Sequence, residues 1–294
     1  MKYLKAIILF LFLIQASAFS QKQEQLKIFI SVDMEGIGGI GTPKMVSSSG
    51  KDYATGRKLM TNEVNSVVEA IFEFGPAEVL INDSHGDMQN LLHTELDPRV
   101  EYIQSNIKPL GMVQGLDESF DAAIFIGYHT RAGTANGFLA HTGSGSVKGL
   151  WLNGTEVGEG GLNAYFAGAL EVPVILASGD KAFTEQFGKI VPSKMVTTKE
   201  AIGSSAAKLN HPKEVQKMLK SQTTAALKEL KNTKPLDTQG AITFRMRTSG
   251  TTRADILMGI PEMIRIDGVT VEYEAKNMDE AYRLIRIAYK YISW

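Results

Sequence analysis

Short apolar runs alternate with longer amphipathic stretches along most of the chain. The run at 26–33, L-K-I-F-I-S-V-D, predicts a buried strand. Between 52 and 74, Met60, Val64, Val67, Val68, Ile71 and Phe72 recur at helical spacing, and Gly75-Pro76 ends the helix. A second strand follows at 77–82, A-E-V-L-I-N, and strand–helix–strand order predicts a right-handed parallel unit. The alternation continues with a short strand at 100–104, an apolar strand at 121–128, a strand at 147–153, a helix from 157 through Leu170 and a strand at 172–177.

After about residue 195 the texture changes. Residues 211–230 predict a polar amphipathic helix with Val215, Met218, Leu219, Ala226 and Leu227 on its apolar side. Residues 241–247 alternate like a half-exposed strand, 263–274 read as a hairpin around Asp267-Gly268, and 279–292 form a last amphipathic helix. The expected fold class is α/β. A mainly parallel layered sheet with helices on both faces occupies 26–195, and a smaller α+β part occupies 196–294 and holds no candidate for chemistry.

Composition narrows the chemistry. The 294 residues are 44% hydrophobic, enough for a sizeable core in one large domain or two. A formal charge of −1 without like-charge runs offers no footprint for nucleic acid or an anionic membrane. Cysteine is absent, so there is no disulfide and no thiolate, and any metal must be held by Asp, Glu and His. At the N-terminus, Lys2 and Lys5 precede an apolar run at 6–14, and A-S-A stands at 16–18. This describes a secretory signal peptide over residues 1–20, cleaved after Ala18 or Ser20. The run is too short for a membrane span, so an exported, periplasmic or secreted protein with no stable membrane segment is expected.

Three of the predicted strands end in ionisable residues: Asp33 with Glu35, His85, and His129. Alternate strand residues share a face, so Asp33 and Glu35 are expected to aim at one place. Ligands of parallel α/β sheets bind outside the carboxyl ends of the strands. Glu159, at the start of a helix after a strand, belongs to the same edge. Three carboxylates and two imidazoles balance two divalent ions better than one, and this donor set suits zinc, with manganese, cobalt or nickel as alternatives. Asp33, at the strand tip, is the natural bridge. The plain alternatives remain a turn-capping Asp33, locally hydrogen-bonded histidines and a Glu159 that favours a helix N-terminus. Ser84 beside His85 lacks the G-x-S-x-G elbow of a nucleophile. Arg131 reads either as a contact for a substrate carboxylate or as a solvated charge.

Taken together, S-V-D-M-E-G (31–36), N-D-S-H (82–85), G-Y-H (127–129) and V-G-E-x-G-L-N-A-Y (157–165) resemble peptidase family M55, the D-aminopeptidases of the DppA type. The resemblance runs from about Lys27 to the C-terminus. It implies an exopeptidase with two zinc ions that removes an N-terminal D-residue such as D-alanine from short peptides. It implies that Asp33 bridges the zincs, that Glu35 and His129 complete one site, that His85 and Glu159 complete the other, and that His141 is the catalytic histidine. It also implies a homo-oligomer, a ring-like decamer with its active sites inside. Two rival readings are another binuclear metallohydrolase such as a phosphoesterase, for which only Arg131 offers a phosphate contact, and a non-catalytic exported peptide-binding protein.

Overall fold

In the computed structural model, which describes residues 25–293, the strand at the head of the chain lies inside a seven-stranded sheet. The expected signal peptide lies outside the described residues. The elements in chain order are β1 (Leu26–Val32), α1 (Tyr53–Phe74), β2 (Ala77–Asp83), β3 (Glu101–Ile103), β4 (Ala122–Tyr128), β5 (Val147–Leu152), β6 (Thr155–Glu156), α2 (Glu159–Ala169) and β7 (Val174–Asp180). They continue with α3 (Lys181–Phe187), β8 (Lys194–Gly203), β9 (Ala206–Leu209), α4 (Pro212–Glu229), β10 (Ile242–Thr248), α5 (Thr251–Leu257), β11 (Ile264–Arg265), β12 (Thr270–Ala275) and α6 (Met278–Tyr291). Among the described residues no helix is long and apolar enough to cross a membrane.

The large sheet runs β3-β2-β1-β4-β7-β8-β9 and is parallel except for the β8–β9 hairpin. Period-two alternation splits β1 between two cores. Ile28, Ile30 and Val32 pack with α1 (Met60, Val64, Val67) and α4 (Val215, Leu219). Phe29 turns to the other face, into a core with Phe125, Leu162 and Phe166 of α2, Phe244 and Met246 of β10, and Tyr282 and Ile285 of α6. Helices therefore cover both faces, as the α/β reading requires. Over the second face also lies an antiparallel sheet, β11-β12-β10-β5-β6.

The division between sheets does not fall at residue 195. β8 spans that point, and β9 and α4 follow it, yet all three belong with the large sheet, whereas β5 and β6 precede it and join the small one. A buried strand announces burial in its sequence but not its partner, so the two parts interleave. The α6 helix, from the second part, reaches the carboxyl edge of the large sheet and lines the cleft there.

Candidate metal and catalytic centre

Strand order positions the site. β2, β1 and β4 are neighbours running in one direction, so the residues after each emerge side by side. Asp33 follows β1, His85 follows β2 by two residues, and His129 follows β4 directly. Asp33 stays in register, its N–H donating to Ile126 O at 2.8 Å. Glu35 does not lie on the strand, as its i+2 spacing suggested. The chain turns after Asp33, with Ile37 N–H donating to Met34 O and Gly36 N–H to Gly127 O at 2.7 Å. The turn, rather than strand alternation, brings the two carboxylates together. It passes so close to β4 that a Cβ at Gly36 would sit 1.9 Å from Tyr128 O. Lys199 of β8, 1% exposed, ties this loop down by donating to Glu35 O at 2.5 Å and Ile40 O at 2.7 Å.

All six sequence candidates meet at this edge. His85 Nδ1 stands 3.2 Å from Asp33 Oδ1 and 3.0 Å from Glu35 Oε2. His129 Nε2 stands 3.5 Å from Asp33 Oδ2 and 3.6 Å from Glu159 Oε2. His141 Nε2 lies 3.5 Å from Glu159 Oε1, and its ring stacks on His129 with centroids 4.0 Å apart. Each imidazole is held from behind by a carbonyl. His85 Nε2 donates to Val46 O, His129 Nδ1 to Thr130 O and His141 Nδ1 to Leu139 O. A carbonyl only accepts, so the nitrogen facing it carries the hydrogen and the other is presented to the carboxylates. Gly143 N–H fixes Glu159 by donating to Oε1 at 2.6 Å.

The charges are tightly coupled. Burial pushes Asp33 up to about 7, with the Glu35 charge adding to it. Burial also opposes ionisation of Glu35 and Glu159, but His85 holds Glu35 well below its usual range, and His129 with His141 hold Glu159 at about 2. The imidazoles mirror this. Burial lowers both, yet the Glu35 charge keeps His85 well above its ordinary value, and Glu159 raises His129 to about 10. In the metal-free chain, protons on the imidazoles thus balance a buried set of carboxylates, which is electrostatic work that cations can do.

Two buried atoms in the middle, Asp33 Oδ2 and His129 Nε2, have no hydrogen-bond partner. Buried polar atoms are rarely left so unless a ligand completes them. Asp33 is shared by two ligand-competent groups, Asp33–Glu35–His85 and Asp33–His129–Glu159, and Glu35, His129 and His141 form a third. The nitrogen and oxygen donors and the shared carboxylate fit a pair of zinc-type ions. The resemblance paired Glu35 with His129 and His85 with Glu159. Glu35 and His129 do fall together in the third group, while the shortest contacts run from His85 to Glu35, on the β2 side of Asp33, and from His129 to Glu159, on the β4 side.

The other candidates fall away. Ser84 Oγ is buried and held at 2.7 Å from Ser31 Oγ. Arg131 is paired with Glu156 at 2.6 Å. Residues that sequence reasoning missed complete the cleft: Asn163 of α2, and Tyr282, Arg286, Tyr289 and Lys290 of α6. Their signal was a stripe at i, i+4 and i+7 on the last helix, which alone reads as amphipathic packing.

The chain matches the family described as Peptidase_M55, D-aminopeptidase, over residues 26–287. It is 36% identical over 266 residues to a D-aminopeptidase of Bacillus subtilis (strain 168), covering 89% of this chain and 96% of that protein. Among solved structures it resembles one described as the Zn-dependent D-aminopeptidase DppA from Bacillus subtilis, a self-compartmentalizing protease. The TM-score is 0.88 at 34% identity, over 91% of this chain and 98% of the other.

Proposed function

The chain belongs to peptidase family M55, the D-aminopeptidases, and from that premise we propose that it is a zinc-dependent aminopeptidase that removes an N-terminal D-residue such as D-alanine from short peptides at a two-metal centre. The observation that carries this reading is Asp33. Its two oxygens face His85 on one side and His129 on the other, and Oδ2 is buried without a partner. Asp33, Glu35, His85, His129 and Glu159 would hold the ions. When bound, the pair would supply Lewis acidity and a water made acidic enough to attack at neutral pH.

The protein's own groups do the rest. Hydrolysis adds water to the scissile carbonyl carbon and breaks the C–N bond, so one proton must reach the departing amine. His141 would carry it. Its Nδ1–H is committed to Leu139 O, its Nε2 faces Glu159 Oε1 at 3.5 Å, and its side chain is 34% exposed at the cleft. Burial of Asp33, Glu35, His129 and Glu159 keeps bulk water from their charges. The self-compartmentalizing Bacillus relative supports a homo-oligomer, and the expected leader at 1–20 supports extracytoplasmic peptides as substrate.

The test is hydrolysis of D-alanine and L-alanine p-nitroanilides before and after chelation. Chelator-sensitive release from the D-substrate, several-fold faster than from the L-substrate, is expected. Equal rates on both would remove the D-specific part, and no cleavage of either would remove the aminopeptidase reading.

A further inference from the structure

The cleft has a second pole that metal-assisted hydrolysis leaves unexplained. Its walls carry Asp33, Glu35, His85, His141 and Glu159 together with Arg286 and Lys290 from α6. The Arg286 guanidinium lies against Gly111, where a Cβ would meet Cζ at 2.4 Å. Among the described residues Arg286 forms no ion pair, and its buried Nε has no hydrogen-bond partner. The charges that bear on it include the cations Lys108 and Lys290. Lys108 is already committed to Asn82 Oδ1 and Asp83 O.

Beside it stands Tyr289, 3% exposed, whose buried hydroxyl is also without a partner. Its ring packs on Gly143, the residue whose N–H holds Glu159. Tyr289 therefore links the metal-ligand edge to the Arg286 edge. A guanidinium whose buried Nε is unsatisfied and a buried unsatisfied phenol on one wall leave two donors that an anion would complete.

We propose that Arg286, assisted by the Tyr289 hydroxyl, receives the C-terminal carboxylate of a short peptide whose N-terminal bond lies at the acidic pole, so that the enzyme selects peptides with a free carboxyl end. The proposal rests on the aminopeptidase reading and adds the determinant at the far end of the substrate. A planar guanidinium suits a carboxylate bidentately, which a lysine cannot reproduce. The cleft volume of about 150 Å³ lies below that of pockets for drug-sized ligands and fits a small zwitterion. Arg131, the alternative cation near the site, is neutralised by Glu156.

The experiment compares kcat and KM for D-alanyl-D-alanine and its C-terminal amide, with D-alanine p-nitroanilide as a substrate that lacks the carboxylate. The wild-type protein is expected to favour the free acid by ~10- to 100-fold in kcat/KM, mainly through KM, the range of one charge-assisted hydrogen-bonded contact. In Arg286→Gln that preference should fall to within about two-fold, and Arg286→Lys should restore part of it. A wild-type enzyme that cleaves acid and amide equally overturns the proposal without any variant. So does an Arg286→Gln protein that keeps the preference, or one whose loss lies in kcat alone. If the wild type cleaves neither dipeptide nor p-nitroanilide, the aminopeptidase reading fails and the proposal with it. Cleavage of the p-nitroanilide without an acid–amide preference removes only the role of Arg286.

Discussion

Three imidazoles in one cleft stand in different surroundings. All three are backed by carbonyls; His85 and His129 have two carboxylates apiece in close contact, whereas the close carboxylate contact of His141 is to Glu159 and its side chain is the most exposed of the three. His141→Gln is therefore expected to lower kcat by ~10²- to 10⁴-fold, the usual worth of a positioned acid–base group, while zinc content stays at the wild-type level. His85→Ala should lose zinc together with activity. Elemental analysis and turnover on the same preparations check both, and zinc loss from the His141 variant would make it a ligand. Asp33, His85 and His129 were legible because parallel strands deliver their terminal residues to one edge. Lys199, Arg286 and Tyr289 were not. A lysine in a strand and an arginine on an amphipathic helix carry the same local pattern whether packing buries them or leaves them in water.

At the scale of elements, the loop after β1 is the part under most constraint. Lys199 holds it from below, Glu63 Oε1 accepts from Gly38 N–H at 2.6 Å, and Gly36 lets it lie against the β4 backbone. Gly36→Ala has no room, and the added methyl must push the loop or β4 aside. Such overpacking should cost about 1–3 kcal/mol in urea unfolding. Because the displaced loop carries Glu35, zinc affinity should fall as well. An unchanged unfolding midpoint would show that the loop yields freely. The sequence pattern identified this stretch as a strand followed by glycines but placed Glu35 on the strand face, since periodicity cannot show where a chain begins to turn. It likewise found β5 without revealing that β5 pairs with β10, because the partner lies nearly a hundred residues away.

At the scale of the molecule, the two sheets share a core, and the cleft forms where the parallel edge of one meets α6 from the far end of the chain. The boundary expected near residue 195 marked a change of texture, not of packing. One consequence is that the acidic pole comes from residues 33–159 and the basic pole from residues 286–290, joined only by folding.

The most direct test of the two-metal account is zinc content of the purified protein after equilibration with zinc and removal of excess, wild type beside Asp33→Asn, with circular dichroism to show both folded. The account predicts about two zincs per wild-type chain. It also predicts the loss of both from the variant, since one carboxylate serves both sites. One zinc in the wild type, or a folded Asp33→Asn protein that still holds two, would contradict it.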